Sequence, residues 1–186
     1  MRRIITFTHA TLDGYIDEPQ NWSLRYSDEE LQDHLLTTTL AADALLLGRV
    51  TYEGMAQAWP TRGGSAFADH VNSITKYVVA SQPVDPAAWD PTVVLPGPDL
   101  VAEVGRLKQA PGGDILIWGT GRLTDALAAA RLLDEYRICT SPVVKGGGEP
   151  LFRAASAGTV ALLNTRVFAT GAVVHAYGLT PDPGGP

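Results

Sequence analysis

Short apolar runs, each stopped by a glycine or serine and followed by a helix start, constrain this chain more than any other feature. Ala44-Leu45-Leu46-Leu47-Gly48 is apolar throughout but short, and a helix start follows near Thr51. Ile115-Leu116-Ile117-Trp118 ends at Gly119-Thr120-Gly121 and runs straight into a helical stretch. KYVVAS and TVVLPG are two more such runs, and DLVAEVGRLKQ after them reads as an amphipathic helix begun by Asp99. Strands without apolar–polar alternation are covered on both faces, the condition of a parallel sheet flanked by helices. RRIITFTHATL, rich in β-branched residues, predicts a first strand ending at Asp13-Gly14, and EYRICTSPVV another. TVALLNTRVFATGAVVHAYGL alternates around a central glycine and predicts an antiparallel hairpin. Together these predict an α/β fold, a mostly parallel sheet with a C-terminal antiparallel edge.

Between the first two strands, YIDEPQNWSLRY is polar and reads as a long loop. Ser27 is the expected N-cap of the first helix, with Glu30 completing a capping box and Asp28 and Glu29 suiting the helix dipole. Leu31, Leu35 and Leu36 give that helix an apolar face to about Ala42. No repeat is evident. We expect one domain over residues 1–179 and a flexible tail over 180–186, the TPDPGGP end.

Bulk properties narrow the function classes. The 186 residues, 45% hydrophobic and 18% charged, suit a single domain that folds by itself. A net charge of −6 argues against non-specific nucleic-acid binding. One cysteine, Cys139, excludes an internal disulfide, and with four scattered histidines it predicts no metal site. The start lacks the apolar core of a signal peptide, and no apolar run approaches a membrane span. The expectation is a cytoplasmic protein with no membrane partner.

In parallel sheets, ligands bind beyond the carboxyl ends of the strands. The loops of interest are therefore Asp13-Gly14, Gly48-Arg49, Ser81-Gln82, Pro96-Gly97 and Gly119–Gly121. Gly119-Thr120-Gly121-Arg122-Leu123-Thr124 nearly matches G-x-G-x-x-G, but Thr124 holds the third glycine position. Asp134 and Glu135 come before the next strand, where the dinucleotide fingerprint wants its acid after it. A Rossmann-type dehydrogenase is thus disfavoured, and on these residues alone a phosphate cradle and a plain strand-to-helix turn stand even. Arg49, beside a helix start, is suited to a phosphate, while a solvated arginine next to an N-capping Thr51 is the plainer reading. Asp13 and Asp17 are candidate polar contacts. His9 on a strand and Cys139 are more often packing residues than catalysts. Trp22, Trp59, Trp89 and Trp118 are mostly core candidates, with Trp118 also able to wall a pocket. Gly146–Gly148 could bind an anion but more often forms a plain loop.

Four segments in order, ATLDGYI, LLLGRVTYE, ILIWGTGRLTDAL and LLDEYRICTSPVVKGGGEPLF, resemble the dihydrofolate-reductase-like superfamily. Within it the chain is similar to bacterial reductases of the RibD C-terminal-domain type, over about Arg3 to Leu179. The resemblance implies a three-layer fold and a homodimeric, NADPH-dependent reductase of a small molecule. It implies that His9, Ala10 and Ile16 face the nicotinamide and that Gly48, Arg49 and Thr51 hold phosphates. Ser81 would lie by the adenosine, and Gly119, Thr120, Gly121, Arg122 and Leu123 would take the pyrophosphate. The pocket it implies for the substrate is lined by Asp13, Glu29 and Trp118, and it leaves the catalytic proton donor unassigned.

The chain also departs from that pattern. The acid that binds the pterin ring in dihydrofolate reductases falls at about Gln32 here, with Glu29 and Asp33 beside it, which disfavours dihydrofolate. Thr120 replaces the second residue of a Gly-Gly pair, where a cis bond would be costly. His9 stands where relatives often have alanine. Arg131 replaces a helix-ending glycine and predicts a different helix end. No deaminase-type zinc motif is present, so a stand-alone reductase is the first reading. A non-catalytic dimeric nucleotide-binding or small-molecule-binding protein on the same fold is the second.

Overall fold

The structure, a computed structural model, describes residues 1–179, and the expected tail at 180–186 lies outside them. The chain divides into two compact units. The first comprises Met1–Ile4 and His34–Trp118, the second Ile5–Asp33 and the chain from Gly119 onward.

In the first unit, β2 (Ala42–Gly48), β3 (Thr75–Ala80), β4 (Thr92–Pro96) and β5 (Asp114–Trp118) are all parallel, in the order β4-β3-β2-β5. The apolar run in β2 is buried from Ala44 to Leu47, each at most 1% exposed, as two covered faces require. Four helices belong here wholly or in part: α1 (Glu29–Leu40) runs into this unit, followed by α2 (Arg49–Ala56), α3 (Ala66–Ser73) and α4 (Leu100–Gln109). Helix α3 has no counterpart among the sequence expectations. Its local signal is Ser65, whose hydroxyl accepts from the Ala68 N–H at 3.2 Å. Trp59 stacks on Trp89 and meets Trp118 at a tilt, and Phe67 lies parallel to Trp118 at 6.2 Å. Lys76 is fully buried below this cluster. Its ammonium sits 4.8 Å from the Trp89 ring centre and donates to the carbonyls of Asn72, Ile74 and Asp90, which satisfy all three N–H groups.

In the second unit the order is β1-β6-β8-β7, from β1 (Ile4–Thr11), β6 (Glu135–Ser141), β7 (Val160–Val167) and β8 (Val173–Leu179). β1 and β6 are parallel, while β8 is antiparallel to both β6 and β7. The mostly parallel α/β architecture with its terminal hairpin thus matches the expectation. Cys139 is buried in β6 with its thiol pushed up to about 12 by burial, which makes it an inert packing residue. Trp22 and Trp89 are buried, whereas Trp59 and Trp118 are half-buried.

Three local expectations are corrected. Asp28, not Ser27, caps α1, accepting from the Leu31 N–H at 2.9 Å. Ser27 instead ends the preceding turn, donating its N–H to the Leu24 carbonyl, and its own carbonyl accepts from the Gln32 side chain. Glu30 therefore closes no capping box and instead binds Arg166 at 2.9 Å. α2 begins at Arg49, because Gly48 is extended and serves as the N-cap directly at the end of β2, leaving Thr51 inside the first turn. Helix α5 (Arg122–Ala129) ends as if Arg131 were glycine. Arg131 takes the left-handed conformation (φ +55°), Leu132 N–H bonds Leu127 at 2.8 Å, and Arg131 N–H bonds Ala128 at 3.0 Å. This is the pair of bonds of a Schellman end.

Candidate functional site

In the second unit, the turn after Trp118 is anchored on β1. Gly119 donates to the Phe7 carbonyl at 2.8 Å, and the Thr6 hydroxyl donates to the Gly119 carbonyl at 2.6 Å. Gly119 needs to be glycine for its backbone, which is left-handed at φ +88°, while nothing lies where its Cβ would be. The Gly119–Thr120 bond is trans, since the cis peptide among the described residues is Asp90–Pro91. The Thr120 hydroxyl instead ties the turn to the Leu151 carbonyl at 2.9 Å. Thr124, at the third glycine position, is 1% exposed and bonds both the N–H and the carbonyl of Gly121 at 2.8 Å. A glycine could not close that first turn of α5. The mismatch with the dinucleotide fingerprint therefore has a structural role. The N–H groups at the start of α5, Arg122 and Leu123, are among those a helix leaves without internal partners. They give the turn the chemistry of an anion cradle.

His9 and Ala10 lie near the end of β1, just beyond this anchor. The imidazole of His9 meets Phe7 edge-on at 5.3 Å, and burial lowers its pKa to about 4, so it is neutral at pH 7. Its Nδ1 is buried without a hydrogen-bond partner, as is the hydroxyl of the adjacent Thr8. Orphaned buried groups at the end of a strand fit a ligand that brings hydrogen-bonding atoms of its own.

The loop after β1 is clasped to the glycine-rich segment near Gly147. The Asp13 carboxylate accepts from the Thr11 hydroxyl (2.6 Å), the Gly146 N–H (2.7 Å) and the Lys145 N–H (3.0 Å). The Thr11 bond, then that of Gly146, pulls Asp13 down to about 2. Asp17 pairs with the Lys145 ammonium and accepts from the Glu149 N–H, and the Lys145 bond holds it low. A Cβ on Gly148 would collide with the Asp17 carboxylate, so the loop must stay glycine there. Half-buried Ile16 is fixed by its N–H to the Glu149 carbonyl at 2.9 Å. Asp13 and Asp17, separate polar candidates in the sequence, are thus brought onto one segment, with Lys145 as a partner not foreseen. Glu29 is exposed in the first turn of α1, and Gln32, also exposed, donates to the Ser27 carbonyl.

In the first unit, Gly48, Arg49 and Thr51 stand together at the carboxyl end of β2. Both Glu53 oxygens accept from Arg49 Nη1, at 2.8 and 2.7 Å. The guanidinium is thereby oriented from one side and keeps donors for another acceptor. Register pairs Ala80 with Pro96, which sets Ser81 against Gly97, and a Cβ on Gly97 would run into the Ser81 hydroxyl. Gly97, flagged only as a post-strand loop, thus belongs with Ser81. Trp118 lies in the aromatic cluster, 5.2 Å from Trp59.

Residues 2–175 match the family model of the RibD C-terminal domain. The uncharacterized protein YyaP of Bacillus subtilis (strain 168) is 29% identical over 184 residues, spanning 95% of this chain and 94% of that protein. A protein assigned to riboflavin biosynthesis in Shewanella sp. PV-4 shares the fold, with a TM-score of 0.72 and 19% identity over 96% of this chain and 99% of its own. Dihydrofolate reductase from Enterococcus faecalis, complexed with NADP(H) and RAB-propyl, has a TM-score of 0.63 and 17% identity over 96% of this chain and 97% of its own. The fold is therefore of the dihydrofolate-reductase-like kind.

Proposed function

From the premise that this chain belongs to the RibD C-terminal domain family, we propose that it is an NADPH-dependent reductase of a small heterocyclic or carbonyl-type substrate, acting as a homodimer. The observation that carries the reading is the turn Gly119–Gly121, held open at the start of α5 by Thr6, Thr120 and Thr124. A turn needed only for connection has no use for three threonine hydroxyls tying it in place. The complex of the Enterococcus enzyme with NADP(H) supports the choice of cofactor. In this reading Gly119 to Leu123 hold the pyrophosphate and His9, Ala10 and Ile16 line the nicotinamide. Gly48, Arg49 and Thr51 bind phosphate, and Ser81 the adenosine end. Asp13, Glu29 and Trp118 are left for the substrate. NADPH supplies the reducing equivalent, and the protein supplies orientation and exclusion of water.

Two measurements test it. NADPH oxidation is followed with a panel of pterins, flavin precursors and small carbonyls. NADPH is also titrated by fluorescence against the wild type and Arg49→Ala, with a loss of at least tenfold in affinity expected for the variant and an unchanged circular-dichroism spectrum. Equal affinity would remove the phosphate assignment, and absence of NADPH binding to the wild type would remove the reductase reading.

A further inference from the structure

At the other end of α5 from the glycine turn, about 12 Å along the helix by its rise per residue, the second unit holds a cavity of about 500 Å³. That volume is within the range of small-molecule sites. Its walls are short side chains, Ala128 and Ala129 of α5 and Ala157 and Gly158 before β7, with Leu133 and Val160 beside them. Two groups give it chemistry. Tyr136 is 4% exposed, its ring meets Phe152 edge-on at 5.4 Å, and it lines the cavity. Its hydroxyl makes no hydrogen bond among the described residues, and it is not among the buried polar atoms cut off from solvent, so it opens into the cavity. Burial, then the charge of Asp125, raises the Tyr136 pKa, which keeps the hydroxyl a donor.

The second group is Arg131, exposed, with no ion pair among the described residues. It sits at the left-handed position where glycine is the unstrained choice. At this end of α5 the Leu127 and Ala128 carbonyls already accept the Schellman bonds. Asp134, an acid of the lining, already has a partner. Arg131 and the Tyr136 hydroxyl are thus two donors without partners among the described residues, set on an apolar floor.

We propose that this cavity is a second ligand site, separate from the glycine turn, for a small organic anion: a carboxylate or phosphate on a compact apolar body, bound by Arg131 and the Tyr136 hydroxyl. The proposal does not depend on the reductase reading.

The probes are benzoate and phenyl phosphate, with benzylamine as the cation of the same size, titrated by ligand-observed NMR against the full chain. Benzoate or phenyl phosphate should bind, the stronger of the two naming the anionic group, and benzylamine should not. Arg131→Gly, which suits the left-handed backbone, should weaken the anion at least tenfold, and Tyr136→Phe severalfold. Both variants should keep the NADPH affinity of the wild type. Binding by neither anion, or equal binding to the wild type and Arg131→Gly, would overturn the site. Anion binding with no NADPH binding would support the site and remove only the reductase reading.

Discussion

His9 shows what a single residue reveals and withholds. Its place on the first strand is plain from the β-branched run around it, and so is its oddity against relatives with alanine. What the sequence could not show is the orphaned Nδ1, because that depends on what packs across the sheet. The consequence is measurable. The imidazole titrates near 4 when folded against 6.5 when free, so between those values the unfolded chain binds the extra proton. The stability that His9 contributes by staying neutral is complete above pH 6.5 and lost as the pH falls towards 4. Between pH 7 and pH 4 the wild type should therefore lose up to about 3 kcal/mol more than His9→Ala. Urea denaturation of both proteins at the two pH values tests this, and parallel losses would show that the ring is already solvated. Asp13 and Asp17 make the same point. Both were visible as polar candidates, but apart from the neighbouring Thr11 the groups that hold them, from Lys145 to Glu149, lie some 130 residues further on and no local pattern links them.

At the scale of the element, α5 was legible at its start and misread at its end. The start carries its signal locally, in glycines followed by a threonine that closes the first turn. The end was expected to differ because Arg131 is not glycine. The backbone bonds that close the helix are nevertheless made, and Arg131 bears the strain. Tertiary packing of Leu127 and Leu133, both at most 3% exposed, holds the chain path on either side and overrides the local preference. A left-handed residue with a Cβ costs roughly 1–2 kcal/mol, and glycine gives part of that back as unfolded-state entropy. Arg131→Gly should accordingly stabilise the fold by about 0.5–1 kcal/mol, whereas Arg131→Ala should leave it within about 0.5 kcal/mol. The shift in urea midpoint at 25 °C measures it, and a less stable glycine variant would mean that the arginine side chain holds more than its backbone strain costs. The missed helix α3 is the converse case. Its segment, AFADHVNS, is short and weakly patterned, and only Ser65 marks its start.

For the whole molecule, the direction of the strands was legible and their order was not. Continuous apolar runs separated by helices imply parallel strands wherever they lie in the chain, and the alternating segment with a central glycine implies the antiparallel pair. Nothing local says that β8 joins β6 and so leaves β7 last in its sheet, because strand order is decided by contacts between distant segments. That placement bears on the proposed homodimer. β7 is an eight-residue edge strand without lysine or proline, with Arg166 as its one charged residue and a slip in its pairing to β8 between Leu162 and Asn164. Leu162 and Val167 pair across to Tyr177 and Val173, so they share one face, and they are 58% and 67% exposed. An apolar strand face bare on this scale is suited to burial against a second copy. Light scattering coupled to size exclusion should give about twice the 19.8 kDa of one chain. The double variant Leu162→Lys, Val167→Lys should run as a monomer with an unchanged circular-dichroism spectrum, since neither side chain belongs to the core of its own chain. A monomeric wild type would refute the homodimer, and a variant that stayed dimeric would move the interface away from β7.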